Sequence, residues 1–195
     1  MNRRRLIIAG AAAAAIIVAL VVVLARRGGE QPVTAGGTPA ASPQGPASAE
    51  RKITATLFFI SEDGLSLQPS QREVAFGDPI TEQARRIIEA QLGAAPAPLA
   101  SAIPEGTKLR ALYVTERGDA FVDLTREVTA RHTGGSLDEL FTVYSIVNAL
   151  TVNLPAIVRV QILIDGKEAD TLAGHVDLRH PLTKSLKWIK TDNPS

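Results

Sequence analysis

The 195-residue sequence contains no cysteine. This absence excludes disulfide bonds, zinc sites built on thiolates, a cysteine nucleophile and lipid attachment at a lipobox cysteine. The fold must therefore be stabilised by its apolar core alone. The roughly 145 residues after position 50 are enough to bury a sizeable one.

The sequence also lacks an excess of either charge. From Arg51 onward it holds 16 Lys and Arg residues against 18 Asp and Glu residues, a net charge of −2. The net charge of +1 for the whole chain comes from five arginines that flank an apolar segment near the N-terminus. Because nucleic-acid binding relies on clustered positive charge facing phosphates, we predict no nucleic-acid partner.

Sequence signatures of common active sites are missing as well. There is no G-x-S-x-G elbow, no phosphate-binding P-loop and no dinucleotide fingerprint. Asp123 lies between apolar neighbours near a predicted strand end, where a carboxylate can act as a general base. We favour a structural role, because Asp123 can accept hydrogen bonds from amides of the following turn and no nearby motif supplies a nucleophile. We predict no catalytic residue and no cofactor.

Three histidines occur, at positions 132, 175 and 180. His175, Asp177 and His180 could in principle supply three ligands to Zn²⁺. Their spacing fits no established helical or finger pattern, and Gly174 and Pro181 indicate an irregular segment. We therefore predict that the histidines stabilise turns and that no metal is bound.

One long apolar segment stands out near the N-terminus. Leu6–Leu24 is a run of 19 residues without a charge or a proline, and a helix of that length covers about 28 Å, close to the hydrocarbon thickness of a bilayer. Arginines at 3–5 and at 26–27 favour a cytoplasmic N-terminus. A cleaved signal peptide is the alternative, but the run is longer than a signal h-region and lacks a small-x-small cleavage site. We predict that residues 1–27 are a basic flank and an uncleaved membrane-spanning helix.

The segment 28–50 is composed largely of Gly, Pro, Ala, Ser and Thr. Such a composition cannot bury enough apolar surface to offset chain entropy, so we predict a disordered stalk that spans about 25–70 Å. The stalk would hold a folded domain, residues 51–183, off the extracytoplasmic side of the cell membrane.

The last segment, 184–195, is a basic tail. Lys184–Lys190 contains three lysines and Trp188. This mixture could contact an anionic membrane surface or a wall polymer. We favour a final edge strand whose outward charges prevent pairing with other chains.

The folded domain shows strand and turn patterns in five places. The predicted strands, rich in β-branched and aromatic residues or flanked by turn signals, are Lys52–Ile60, Leu67–Phe76, Leu109–Val114, Ala120–Leu124 and Val158–Ile164. Two helices are predicted between them. The first begins at Asp78-Pro79, with Asp78 as its cap, and ends at Gly93.

The second predicted helix begins at Ser136–Glu139, which reads as a capping box, and ends at Pro155. Its apolar stripe is formed by Leu140, Val143, Tyr144, Val147, Leu150 and Leu154. The order is β-β-α-β-β-α-β. It predicts an α+β fold with a mixed or antiparallel sheet of about five strands and two helices on one face.

Several short motifs, taken together and in their order along the chain, resemble the GerMN domain of sporulation and spore-germination proteins of the GerM type. The resemblance runs from about Ile53 to Leu182. The segments that carry it are Ala55–Phe59, Ser101–Leu109, Ala120–Thr125, Ile146–Thr151, Val160–Lys167 and Gly174–Leu178.

The resemblance implies a non-catalytic α+β domain, similar to ring-building and KH-like modules, that assembles at a membrane or envelope. It implies structural roles within the motifs for Ile103, Pro104, Gly106, Asp123, Asp165, Gly166, Gly174, His175 and Asp177. The sporulation protein carries two such domains behind a lipidated cysteine. This chain has one domain behind a predicted membrane-spanning helix, so the process it serves does not follow from the domain alone.

From these observations we predict a membrane-anchored, extracytoplasmic module for protein interaction or self-assembly at the cell envelope. A small-ligand or wall-glycan binding module is the alternative, and an apolar, aromatic-lined cleft would favour it. An enzyme is the third hypothesis, and a cluster of ionisable residues in a deep pocket would favour that one.

Overall fold

Residues 51–190 are described by the computed structural model. The predicted membrane-spanning helix (residues 6–24) and stalk (residues 28–50) lie outside the described residues, as do residues 191–195. Within residues 51–190, no helix is both long enough and apolar enough to cross a bilayer.

The elements follow the predicted order, with three short additions. The strands are β1 (Lys52–Ile60), β2 (Leu67–Ala75), β3 (Leu109–Val114), β4 (Asp119–Leu124), β5 (Arg159–Ile164), β6 (Lys167–Glu168) and β7 (Leu182–Thr183). The helices are α1 (Ile80–Gln91), α2 (Glu127–Ala130) and α3 (Ser136–Asn153). The predicted α+β class is confirmed.

The strands form two sheets. β1 and β2 pair as an antiparallel hairpin that stands alone. The second sheet has five strands in the order β3-β4-β5-β6, with β7 also beside β5. It is mixed, because β4 and β5 are parallel while the other pairs are antiparallel. The mixed five-stranded sheet is therefore as predicted, but the short strands β6 and β7 complete it and the first hairpin does not join it.

The free edge of β1 is covered by side-chain amides instead of a strand. Gln91, at the end of α1, accepts a hydrogen bond from Phe58 N (2.9 Å) and donates one to Phe58 O (2.8 Å). Asn153, at the end of α3, accepts from Thr56 N (2.8 Å) and donates to Thr56 O (2.7 Å). An amide carries a donor and an acceptor side by side, so it matches the edge of a strand. The two helix ends thus take the place of a further strand.

The helices α1 and α3 pack against each other and join the two sheets. α1 contacts the hairpin and β3, whereas α3 contacts β1, β5 and β7. Because α3 has neighbours on several sides, nearly all its residues from Phe141 to Thr151 are buried. The predicted apolar stripe is therefore too narrow, and its members Leu140 and Tyr144 are only half-buried.

The predicted side-chain caps of both long helices are wrong. α1 begins at Ile80, with Pro79 in the cap position, and no side chain of Asp78 or another residue caps it. α3 follows Gly135, and no side-chain hydrogen bond caps it either. The carboxylate of Glu139, which the predicted capping box requires, instead accepts hydrogen bonds from Leu172 and His175 in a distant loop.

Residues 184–190 do not form the predicted edge strand. The side-chain amide of Asn148 in α3 accepts from Ser185 N (3.1 Å) and donates to Ser185 O (2.8 Å). Further on, Leu67 N donates to Trp188 O (2.7 Å) and Lys190 N donates to Leu67 O (2.8 Å). After β7, this segment therefore connects the five-stranded sheet to α3 and to the start of β2.

Replacing Asn148 by Ala is expected to destabilise the protein by about 2 kcal/mol, because it leaves two backbone groups of Ser185 without their partner. Denaturant unfolding monitored by circular dichroism measures this change. Ser185→Ala is the matched control, since the two hydrogen bonds use only the Ser185 backbone. Its effect should stay within about 0.5 kcal/mol. Equal effects of the two substitutions would contradict this account of the tail.

Candidate interaction surface

The loop before β3 is held by its own polar groups. Ser101 Oγ accepts from Ile103 N (3.1 Å), and Thr107 Oγ1 donates to Pro104 O (2.7 Å). The Ile103 side chain is buried in the core. Gly106 has a φ of +85°, a left-handed conformation that favours glycine. Ile103, Pro104 and Gly106 thus fix the path of this loop.

A concavity of about 430 Å³ lies beside this loop. His132 lines it with both ring nitrogens occupied, because Nδ1 accepts from Gly134 N (3.0 Å) and Nε2 lies 3.2 Å from Thr142 Oγ1. Among the described residues, its lining contains no Phe, Tyr or Trp. It therefore lacks the aromatic wall by which a glycan-binding module would be recognised.

Asp123 stabilises a turn far from it in sequence. Its Oδ1 accepts from Gly166 N (2.7 Å) and its Oδ2 accepts from Arg110 Nη1 (3.2 Å). Asp165 and Gly166 form the turn between β5 and β6 with φ values of +50° and +77°. The carboxylate thus binds the β5–β6 turn, whereas the sequence suggested the turn directly after β4.

Glu139 is a fully buried carboxylate that the sequence did not single out as a site. Its Oε1 accepts from Leu172 N (2.8 Å), and its Oε2 accepts from His175 N (2.7 Å). Nδ1 of His175 lies 3.1 Å from the same oxygen. Gly174, with a φ of +99°, allows the loop to curve around the carboxylate. Glu139 therefore fixes the loop 172–176 to α3.

Two opposing effects set the pKa of Glu139. Burial raises it, because the charged form loses its hydration. Hydrogen bonds from the backbone amides of Ala173, His175, Leu172 and Val176 lower it, and their combined effect prevails. The pKa of Glu139 is therefore below its ordinary value, and the buried side chain is ionised at neutral pH.

The three residues considered as zinc ligands are not grouped around a common site, and two of them have other partners. His175 contacts Glu139, whereas Asp177 accepts two hydrogen bonds from the Arg179 guanidinium, at 2.9 and 2.7 Å. The Arg179 side chain, together with its backbone N–H, holds the pKa of Asp177 well below its usual range. Within the described part of the chain, no three His, Asp or Glu residues are placed to hold a metal ion.

The outer face of the five-stranded sheet carries an aromatic pair. On β4 the fully buried Ala120, Val122 and Leu124 point into the core, so Phe121 points to the opposite face. Tyr113 on β3 lies directly opposite Phe121. Its side chain is 62% exposed, and Phe121 is half-buried. The two rings thus present apolar surface to solvent on adjacent strands.

An arginine–aspartate pair lies on each side of the two rings. Arg159 binds Asp119 through two hydrogen bonds (2.7 and 3.0 Å), and Arg110 binds Asp123 (3.2 Å). Both aspartates are buried, whereas the two arginines are more than 40% exposed. We define the outer sheet face by Arg110, Tyr113, Phe121 and Arg159. It has an apolar centre and a charged, hydrogen-bonded rim.

Tyr113 and Phe121 were not among the residues predicted from the sequence to form a site. A signal was present, since neighbouring residues of a strand point to opposite faces of the sheet. Tyr113 therefore lies on the other face from the core residue Leu112, and Phe121 on the other face from Val122. For Glu139 there was no such signal. Its partners lie more than 30 positions away in an irregular loop, so only the tertiary structure brings them together.

The chain resembles solved structures from Bacillus subtilis. The tandem GerMN domains of the sporulation protein GerM share 16% identity and a TM-score of 0.53, over 68% of this chain and 46% of that one. The first GerMN domain alone shares 18% identity and a TM-score of 0.50, over 68% of this chain and 95% of the domain. At such identities the likeness shows the fold. No curated protein matches the chain. The profile of the Germane family, described as "Sporulation and spore germination", matches residues 56–170, more than half of the sequence, and the chain therefore belongs to this family.

Proposed function

We propose that the protein is a membrane-anchored, extracytoplasmic and non-catalytic interaction module that binds an envelope protein or a second copy of itself, in sporulation or spore germination. The observation that carries this proposal is the outer sheet face. Its composition matches protein–protein interfaces, which are enriched in Tyr, Phe and Arg and depleted of Lys. An aromatic centre within a polar rim is also the usual arrangement of the residues that dominate binding energy.

The non-catalytic part of the proposal is supported by the partners of the buried carboxylates. Asp119 and Asp123 each bind an arginine, and Glu139 is held by loop amides. These carboxylates lie apart, on the sheet and on α3, and each has a structural partner. A general acid or base must instead reach a reacting group in a cleft with a suitable pKa.

Anchoring is supported by the length and charge flanks of residues 6–24, which fit a membrane-spanning helix. We expect these residues to remain in the mature protein. In membranes from cells that express the native chain, alkaline carbonate should fail to release it, and protease added to intact, wall-stripped cells should digest the C-terminal domain. Carbonate release, a mature N-terminus beyond residue 24, or full protection from protease would contradict the anchoring.

The outer sheet face can be tested by replacing Tyr113 with a photoreactive phenylalanine analogue in the full chain. Irradiation of native membranes should give a discrete cross-linked product, because Tyr113 lies at the centre of the proposed interface. Gln71 on the hairpin, also exposed, is the matched control position and should give little product. Gel electrophoresis followed by mass spectrometry identifies the partner and distinguishes a second copy from another protein.

Replacing Tyr113 by Ala is expected to lower recovery of that partner with the affinity-tagged full chain from native membranes at least tenfold, because a central aromatic side chain commonly contributes about 2 kcal/mol or more to binding. The variant should keep its circular dichroism spectrum, since the side chain is largely exposed. Undiminished recovery with Tyr113→Ala, or equal cross-linking from positions 113 and 71, would count against this face.

A further inference from the structure

A second exposed surface lies where the tail meets the turn of the hairpin. Leu65 in this turn is 73% exposed, Leu186 is 53% exposed and Trp188 is 36% exposed. The hydrogen bonds between Leu67 and the tail place residues 186–190 beside this turn. We define the tail patch as Leu65, Lys184, Leu186, Lys187, Trp188 and Lys190.

The backbone of the tail is bound to the rest of the domain, whereas these side chains remain exposed to solvent. Asn148 binds the backbone of Ser185, and Ile189 is partly buried against the core. Between these two points, Leu186, Lys187 and Trp188 are all exposed. The apolar side chains therefore stay on the surface although the backbone beneath them is bonded, so an external ligand can reach them without unfolding.

The patch combines apolar side chains with three lysines, two of which have no acidic partner among the described residues. Within residues 51–190, neither Lys184 nor Lys187 has an acidic partner within 4.0 Å, and Lys190 lies 4.0 Å from Asp63. Glu62 and Asp63 are the acidic residues of the adjacent turn. The lysines are spaced every three residues around Leu186 and Trp188, so positive and apolar groups alternate along the tail.

We propose that the tail patch docks on the anionic lipid surface of the membrane, an inference that rests on the proposed anchoring of the chain. Trp lies preferentially at the membrane–water interface, and Leu inserts below the headgroups. Lys is attracted to anionic headgroups and can extend its ammonium group towards them while its stem contacts apolar surface.

The composition of the tail patch favours a bilayer over a protein partner. Protein interfaces are depleted of Lys and enriched in Tyr and Arg, which describes the outer sheet face and not the tail patch. The two surfaces of this domain thus differ in the chemistry that they would recognise. The outer sheet face fits a protein, and the tail patch fits anionic lipid.

The connecting chain is long enough for this contact. The patch lies at the turn end of the hairpin, whereas Arg51 lies at the other end, about 27 Å away along the nine residues of β1. The stalk predicted from the sequence, residues 28–50, would span about 25–70 Å between coil-like and extended limits. A domain anchored by residues 6–24 can therefore bring the turn end of its hairpin to the bilayer.

Trp188 is the only tryptophan in the sequence, so its fluorescence reports on the tail patch in the full chain. The full chain is reconstituted into vesicles of phosphatidylcholine alone or with phosphatidylglycerol, each with and without brominated acyl chains, which quench tryptophan on contact.

In vesicles that contain phosphatidylglycerol, we expect a blue-shifted emission that brominated lipid quenches. High salt should reverse both effects, because it screens exposed charges. In phosphatidylcholine alone, the emission should show neither the blue shift nor the quenching.

The double substitution Lys184→Glu and Lys187→Glu is expected to lower the ratio of docked to free patch at least about 25-fold, since each lysine near an anionic surface contributes about fivefold. The exposed pair Lys108→Glu and Lys167→Glu is the control with the same charge change and should leave quenching intact. Equal emission in both lipids, or undiminished quenching in the double variant, would overturn the docking proposal.

Flotation of the same samples separates docking from anchoring. If the chain fails to float with phosphatidylcholine vesicles, the membrane anchor is contradicted. Docking is then tested separately, by adding the chain to preformed vesicles that contain phosphatidylglycerol. Quenching of Trp188 there supports the tail patch without the anchor. Flotation with phosphatidylcholine vesicles but no quenching in phosphatidylglycerol leaves the anchor standing and rejects the patch.

Discussion

Glu139→Gln is expected to destabilise the protein by about 2–4 kcal/mol. Glutamine keeps the shape of the side chain, but it turns an –NH₂ group towards backbone N–H groups of residues 172–176 and leaves at least one of them without an acceptor. Such a loss is a large fraction of the 5–15 kcal/mol that stabilises a typical domain. Denaturant unfolding gives the change. Hydrogen exchange should show that the amides of residues 172–176 lose protection first.

The effect of Glu139→Gln should depend on pH in a defined direction. Because the pKa of Glu139 is lowered in the folded protein, its carboxylate stabilises the fold fully above the unfolded pKa, about 4.5, and this contribution is lost as the pH falls through the lower folded pKa. The difference between wild type and variant should therefore shrink below about pH 4.5. Glu89→Gln, at an exposed glutamate of α1, is the control and should change stability by less than about 0.5 kcal/mol. If the stability difference between wild type and variant stays constant from neutral to acid pH, the proposed stabilisation by the ionised Glu139 carboxylate is wrong.

Gln91→Ala is expected to cost about 3–5 kcal/mol. The fully buried amide satisfies both the N–H and the C=O of Phe58 on the free edge of β1. Removing it leaves two buried backbone groups without partners, each costing about 1–3 kcal/mol, and creates a cavity. Thermal or denaturant unfolding measures the loss.

Two further substitutions test the reason for this cost. Asn153→Ala removes the equivalent pair of hydrogen bonds to Thr56 at a partly exposed position. Water can replace the amide there, so we expect about 1–2 kcal/mol. Gln91→Glu keeps an acceptor for Phe58 N but faces Phe58 O with a buried carboxylate, so it should be at least as harmful as alanine near neutral pH. Equal costs at positions 91 and 153 would show that burial of the edge does not set the effect.

The sequence predicted the elements well where the pattern is local. β-Branched residues with turn signals located the five long strands, and helical spacing located α1 and α3, all to within about two residues, because alternation and helical spacing arise from each segment's own burial. These local patterns could not predict that the first hairpin stays outside the five-stranded sheet. Gln91 and Asn153 lie at helix ends, and nothing in their local sequence indicates that their amides cover β1.

The helix caps also could not be predicted from local sequence alone. Ser136–Glu139 has the residues of a capping box, yet Glu139 forms stronger, charge-assisted hydrogen bonds with amides more than 30 positions away. The tail also departed from its local pattern. An edge strand with outward charges was predicted for it, but Asn148 and Leu67 bind its backbone at only a few points.

The sequence by itself determined the α+β class, the order of the long elements and the absence of cysteine chemistry, because each depends on composition or on short-range periodicity. Its short motifs, in their order along the chain, carried the family resemblance. Only the tertiary structure decided which partners the polar side chains have. It places Asp123 at the β5–β6 turn, Glu139 within the loop 172–176, and Tyr113 beside Phe121 on an exposed face. A buried polar group must find a partner wherever the folded chain supplies one, so its role depends on contacts that sequence distance does not reveal.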